Sequence, residues 1–255
     1  MKKNIRERAK QGMTSFGINL ALGDPITVEM AARAGYDFVR IDCEHVLFDA
    51  TTLMNMIRTA RLLELPVQVR VSGLYQAGAL LDMGVSGLMV PHIGNREAAL
   101  TAVNAVKYAP LGQRGMTGAS RALNFGQYKM SEYSTWANDE VSLIIQIEDR
   151  DGLEHMDEIL SVEGVDMVAT GRNDLSQALG VPGQNTHPEV LAAEDQVIRK
   201  AIEYGKIPTL LVRDRKRLGE LWEKGVRCFT IARDETLLAG AMKSTLAEMR
   251  EEIKE

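Results

Sequence analysis

Ser142-Leu143-Ile144-Ile145-Gln146-Ile147-Glu148 is the stretch whose reading decides the fold. Its aliphatic, β-branched run has the pattern of a strand buried on both faces, and such strands belong to parallel sheets covered by helices. Gln146 and Glu148 share one parity along that strand and so point to the same side. A carboxylate closing a buried strand needs a cation, a guanidinium or a cage of hydrogen-bond donors.

Working outward, segments of the same kind recur on either side. Phe16–Ala21, Asp37–Asp42, Val67–Val71 and Gly87–Pro91 come before it; Asp166–Gly171, Pro208–Val212 and Cys228–Ala232 come after. Helical patterns separate them. They run to Ala34, where Gly35 stops the first, and then over Asp49–Leu63, Tyr75–Met83, Arg96–Val106, Gly152–Leu160, Pro188–Tyr204 and Arg215–Lys224. Residues 1–13 read as a short polar helix or arm. A long closing helix starts near Glu235, with Leu238, Ala241, Met242, Leu246, Met249 and Ile253 on one face. Strands alternating with helices in one uninterrupted run predict an α/β chain, a (β/α)8 TIM barrel forming a single domain over residues 1–255. An open doubly wound sheet is the runner-up, but no G-x-G-x-x-G follows the first strand. Between Val106 and Ser142 lies a long glycine-containing connection, of the kind that often carries function.

Composition narrows the class. Of 255 residues, 45% are hydrophobic and 25% charged, with a net charge of −5. An acidic chain lacks the basic face of a nucleic-acid binder. No apolar run reaches the roughly 20 residues that cross a bilayer. The start, Met-Lys-Lys-Asn-Ile-Arg-Glu-Arg, has no apolar core behind it and does not read as a secretory signal. Cys43 and Cys228 make no disulfide framework, so the cytoplasm is expected.

In a barrel of this type chemistry collects at the C-terminal ends of the strands. Those ends bring together Asp42, Glu44 and His45, then Arg70, His92, Gln146 and Glu148, then Gly171, Arg172, Asn173 and Asp174, then Arg213 and Arg233. The set suits a small anionic substrate. Glu148 and Asp174, on neighbouring strands, form a hard oxygen site for a divalent ion; the competing reading pairs them with Arg70 and Arg172. His45 is a proton-transfer candidate, His92 reads as pocket wall, and His155 and His187 as surface. Cys43 and the methionines read as packing. No lysine stands at a strand end, which weighs against Schiff-base chemistry.

Five ordered motifs also resemble one family. Asp42-x-Glu44-His45, Leu80-Leu81-Asp82-x-Gly84 leading to Val90-Pro91, Tyr108-x-Pro110-Leu111-Gly112-x-Arg114-Gly115, Gln146-x-Glu148 and Gly171-x-x-Asp174-Leu175-Ser176 are similar to the HpcH/HpaI aldolases. These are class II, metal-dependent pyruvate aldolases acting on 4-hydroxy-2-oxo acids and 2-keto-3-deoxy sugar acids. The resemblance implies a divalent ion (Mg2+, Mn2+ or Co2+) on Glu148 and Asp174. It implies Arg70 at the keto or enolate oxygen, and His45 in proton transfer, oriented by Asp82. Gln146, Gly171, Arg172 and Asn173 would line the substrate pocket, with Asp42, Glu44 and Arg213 as further candidates. It implies a homohexamer, a trimer of dimers, that exchanges C-terminal helices. Arg172 departs from the family pattern, which has a small residue or proline there; with Arg213 or Arg233 it would favour an aldehyde carrying a carboxylate. A citrate-lyase-like or malyl-CoA-type lyase, and a non-catalytic barrel binding an oxo acid, are the alternatives.

Overall fold

The computed structural model describes residues 4–253. Eight parallel strands close into a barrel in sequence order. They are β1 (Ser15–Leu20), β2 (Phe38–Asp42), β3 (Val67–Arg70), β4 (Gly87–Val90), β5 (Ser142–Gln146), β6 (Met167–Ala169), β7 (Ile207–Leu211) and β8 (Cys228–Arg233). α1 (Ile5–Lys10) precedes the barrel, and α2 (Pro25–Arg33), α3 (Ala50–Leu62), α4 (Ala77–Met83) and α5 (Arg96–Val106) follow the first four strands. α6 (Met130–Glu140) lies inside the long connection before β5. After it come α7 (Arg150–Glu154), α8 (Met156–Leu160), α9 (Arg172–Ala178), α10 (Pro188–Glu203), α11 (Arg215–Glu223) and α12 (Asp234–Ile253). The closed ring excludes the open doubly wound sheet.

The alternation of side chains along each strand divides the core in two. One parity faces the helices, where Ile18, Leu20, Val39, Ile41, Val69, Leu88, Leu143 and Ile145 join the largest apolar cluster. The other parity fills the barrel. Phe38, Met89, Ile144, Met167, Ala169 and Cys228 form a separate interior cluster, and Ile5 of α1 packs into it. Gly17 pairs with Phe38 in the register, and a methyl group on Gly17 would overlap the Phe38 ring. Above this floor the interior turns polar. Arg40 pairs with Gln68, and its guanidinium donates to Gln68 Oε1 at 2.8 Å, Thr209 Oγ1 at 3.1 Å and Thr230 Oγ1 at 3.1 Å. Burial lowers the Arg40 pKa to about 10, because a desolvated guanidinium without a carboxylate partner holds its proton less tightly.

The helices depart from the sequence expectation in places. The expected helix Gly152–Leu160 is two short ones, broken at His155. The long connection contains α6, and among the described residues no member of it lines the rim cavity. Its motif builds structure instead. Lys107 is buried with its ammonium on Asn138 O, Val141 O and Asp166; Arg114 lies over the Tyr108 ring at 4.5 Å; a methyl group on Gly112 would press on Lys107 O and Val103 O. α12 has one buried residue, Asp234, and its Leu238, Met242, Leu246, Met249 and Ile253 are exposed. Among the described residues no helix is long and apolar enough to cross a membrane.

Candidate active site

A cavity of about 530 Å³ opens at the C-terminal ends of the strands. Its lining includes His45, Arg70, Gln146, Gly171, Arg172, Asn173, Asp174, Arg213 and Arg233. The parity argument of the opening strand is met: Gln146 Nε2 donates to Glu148 Oε2 at 2.6 Å, so both side chains point inward. β5 itself ends at Gln146, and Ile147 N–H still bonds Ala169 O at 3.0 Å, which fixes the direction of Glu148.

The Glu148 side chain is 1% exposed. Its Oε1 accepts the His92 backbone N–H at 3.1 Å. Asp174 stands in the first turn of α9, a helix that sequence reading missed because seven residues give too short a period. A methyl group on Gly171 would overlap Glu148 Oε2 and stand 3.1 Å from Asp174 Oδ2, so the two carboxylates close around the space that glycine leaves. Burial pushes the Glu148 carboxyl up to about 7, and the neighbouring Asp174 charge adds to the rise.

The arginines that could neutralise this pair are engaged elsewhere. Arg70 donates to Asp42 Oδ1 at 3.0 Å and Asp42 Oδ2 at 2.5 Å, and its Nη1 is 2.8 Å from Glu44 Oε2. Burial alone would raise Asp42, but the two-pronged Arg70 contact outweighs it and holds the carboxyl below its ordinary range. Arg172 Nε lies 3.6 Å from Glu194 Oε1, and the same buried carboxylate holds Arg217 at 2.7 Å. Arg233 is divided between Glu235 at 2.6 Å and Asp42 at 3.4 Å. Among the described residues the exposed Arg213 has no ion pair. Gln146 Oε1 and Asn19 Oδ1 are buried beside the cavity and find no donor. Buried polar atoms left open at a cavity wall point to a ligand or water as their partner.

Two histidines stand beyond the strand ends near Glu44. His45 Nε2 is 3.6 Å from Glu44 Oε2. His92 adopts a left-handed backbone, φ 54°, a region His enters more readily than most residues. Its Nε2 is 3.2 Å from Glu44 Oε1 and its Nδ1 3.5 Å from Glu148 Oε1. The expectation that Asp82 orients His45 is not met within the chain. Asp82 lies at the end of α4, which leads down to the start of β4, and its carboxylate is taken by Arg114 at 2.8 Å. Glu44 holds the place beside His45 instead. Asn173 Oδ1 accepts from Asn185 Nδ2 at 3.1 Å on the far wall. His92 and Arg40 are the residues sequence reading undervalued; the shared parity of Arg40 and Asp42 was the available signal for the second.

Comparison with known proteins agrees with this geometry. The family model described as HpcH/HpaI aldolase/citrate lyase matches residues 16–241. A 4-hydroxy-2-oxo-heptane-1,7-dioate aldolase of Escherichia coli is 34% identical over 250 residues, covering 97% of this chain and 95% of that protein. A pyruvate aldolase of Rhizobium etli is 32% identical, with 96% of each chain covered. The solved structure of a citrate synthase, SbnG, superposes with a TM-score of 0.90 at 30% identity over 99% of both chains. Matched by the family model over residues 16–241 and by relatives at 32–34% identity over nearly its whole length, the chain belongs to the HpcH/HpaI aldolase/citrate lyase family.

Proposed function

We propose that the protein is a metal-dependent aldolase that cleaves a 4-hydroxy-2-oxo acid reversibly to pyruvate and an aldehyde. The observation that carries this reading is the Glu148–Asp174 pair, closed around Gly171, with Glu148 buried and, among the described residues, no lysine or arginine in an ion pair with either carboxylate. Two carboxylates and an open cavity fit a divalent ion such as Mg2+, Mn2+ or Co2+. When bound there, the ion supplies Lewis acidity toward a 2-oxo acid.

The chain's own residues account for the rest. Breaking C3–C4 leaves an electron pair on C3, delocalised as the pyruvate enolate. Arg70, fixed by Asp42 and Glu44, presents a positive charge at the cavity that needs no reorganisation as negative charge develops. His45 lines the cavity, and its Nε2, 3.6 Å from Glu44 Oε2, is placed to accept the 4-hydroxyl proton. In the synthetic direction the same proton returns. Gln146 and Asn19 offer their open oxygens to substrate or water in the pocket.

The aldehyde is read as one bearing a carboxylate. Arg172, Arg213 and Arg217 line one side of the cavity, and Arg213 has no competing acidic partner. The relative named for a heptane-1,7-dioate supports this. Replacing Arg172 or Arg213 with Ala lowers kcat/KM for a dioic substrate by roughly tenfold or more, with little change for a neutral one; equal loss for both would overturn the assignment. The exposed apolar face of α12 supports a homo-oligomer in which this helix is exchanged between copies, and a monomeric mass by light scattering would contradict it. The central test is pyruvate release from a panel of 4-hydroxy-2-oxo acids before and after chelation. Undiminished turnover after thorough metal removal, or wild-type turnover in Glu148→Ala, would sink the mechanism.

A further inference from the structure

We propose that His92 and Glu44 are additional ligands of the ion held by Glu148, so that this aldolase carries a nitrogen donor on its metal. The inference rests on the metal reading given above and goes beyond its carboxylate pair. Glu148 is shared between two sides. Its Oε2 meets Gln146 and the Gly171–Asp174 corner, and its Oε1 meets His92. One donor atom from each of Glu44, His92 and Glu148 lies within 4.8 Å of the others. Separations of that size leave room for an ion to be drawn in between.

The local backbone is built to put the ring there. His92 follows Pro91 in a left-handed conformation, which turns its own N–H onto Glu148 Oε1 at 3.1 Å. The next residue returns to regular pairing, with Ile93 N–H on Gln146 O at 3.0 Å. One residue is therefore displaced from the strand, and its side chain spans from Glu148 to Glu44. Glu44 is fixed from behind by Arg70 on Oε2 and turns Oε1 to His92 at 3.2 Å. A hydrogen-bonded bridge between two carboxylates is the competing account, and it predicts no metal–nitrogen bond. An imidazole in the ligand set favours Mn2+, Co2+ or Zn2+ over Mg2+, which keeps to oxygen and demands a tighter octahedron.

Mn2+ added to the metal-free protein and followed by electron paramagnetic resonance tests this directly. Titration gives the affinity, and pulsed measurements read coupling from a coordinated imidazole nitrogen. The wild type shows that coupling; His92→Asn, which tolerates the same backbone conformation, loses it. His45→Asn keeps it, which excludes the other rim histidine. Mn2+ affinity falls at least about tenfold in His92→Asn, and the preference for Co2+ over Mg2+ narrows. Binding without nitrogen coupling in the wild type, or coupling that survives in His92→Asn, overturns this inference and leaves the carboxylate site intact. No Mn2+ binding at all removes the ion and the metal reading with it.

Discussion

Asp166 and Glu148 lie at opposite ends of the barrel, both largely withdrawn from water, and the chain treats them differently. Asp166 opens β6 at the N-terminal end. It is paired with Arg6 of α1 and with the buried Lys107 at 2.7 Å, and it accepts the Leu143 N–H at 2.8 Å. Every oxygen is answered. Glu148 follows β5 at the C-terminal end, has a second carboxylate for a neighbour, and receives a backbone N–H, an amide and the edge of the His92 ring, with no lysine or arginine paired to it among the described residues. A charge that is fully answered holds elements together; one left open in a cavity is available to a ligand. The division agrees with the general rule that the lower face of such barrels serves stability and the upper face serves chemistry.

The sharpest way to break the comparison is to remove each charge and measure activity. Glu148→Gln lowers kcat/KM for the preferred 4-hydroxy-2-oxo acid by at least about 10³-fold, a loss on the scale of deleting a principal electrostatic contributor. Asp166→Asn, assayed at a temperature where it stays folded, remains within a few-fold of wild type. Comparable losses in both would show that the two ends are not functionally separate. Stability should rank them the other way. Asp166→Asn leaves the buried Lys107 and the half-buried Arg6 without their counter-charge, a loss of about 3 kcal/mol or more. For a chain of this size that lowers Tm by roughly 10 °C.

Two glycines repeat the contrast without altering charge. Gly17 allows the Phe38 ring to fill the barrel floor, and Gly171 leaves room between Glu148 and Asp174. Gly17→Ala overpacks the interior and costs about 2 kcal/mol, with turnover preserved once folded. Gly171→Ala intrudes on the open carboxylates, so turnover and divalent-ion affinity fall while Tm, read in metal-free buffer, moves by only a few degrees. Loss of metal affinity in the first variant but not in the second would reverse the assignment of the two ends.

Much of this division was legible in the sequence and part was not. All the strands are visible as apolar runs, because burial on both faces leaves little room for other residues. Parity along the fifth strand was enough to put Gln146 and Glu148 on one side. Asp174 and Gly171 followed from their place after the sixth. What failed was contact that depends on the third dimension. Nothing local says that Arg70 is consumed by Asp42 and Glu44, or that Arg172 leans on Glu194, twenty-two positions later in the chain. The Tyr108–Gly115 motif identifies the family but sits around Lys107 and Arg114, where it supports the lower half of the barrel. Asp82 was placed by resemblance, and within the chain its carboxylate meets Arg114 and not His45. His92 was undervalued because its reach comes from one left-handed residue, which sequence periodicity does not register.

The smallest predicted effect is the most specific. The Glu148 carboxyl titrates at about 7 in the fold, against an ordinary 4.5. Between those values the folded state binds more protons than the unfolded chain, so this group lowers stability progressively as pH rises through the window and no further above it. Glutamine carries no such charge and still offers an amide to Asp174. In metal-free buffer Glu148→Gln should therefore match wild type in Tm near about pH 5 and exceed it by a few degrees near about pH 8. Adding a divalent ion at about a hundred times its Kd stabilises the wild type by roughly 2.7 kcal/mol, and the variant by less, so the order inverts. A Tm advantage for the variant that is the same at both pH values would place the gain in packing, not in the open charge. An order that does not invert with metal would separate Glu148 from the ion. Asp166, already neutralised by its own partners, should show no metal-dependent change at all.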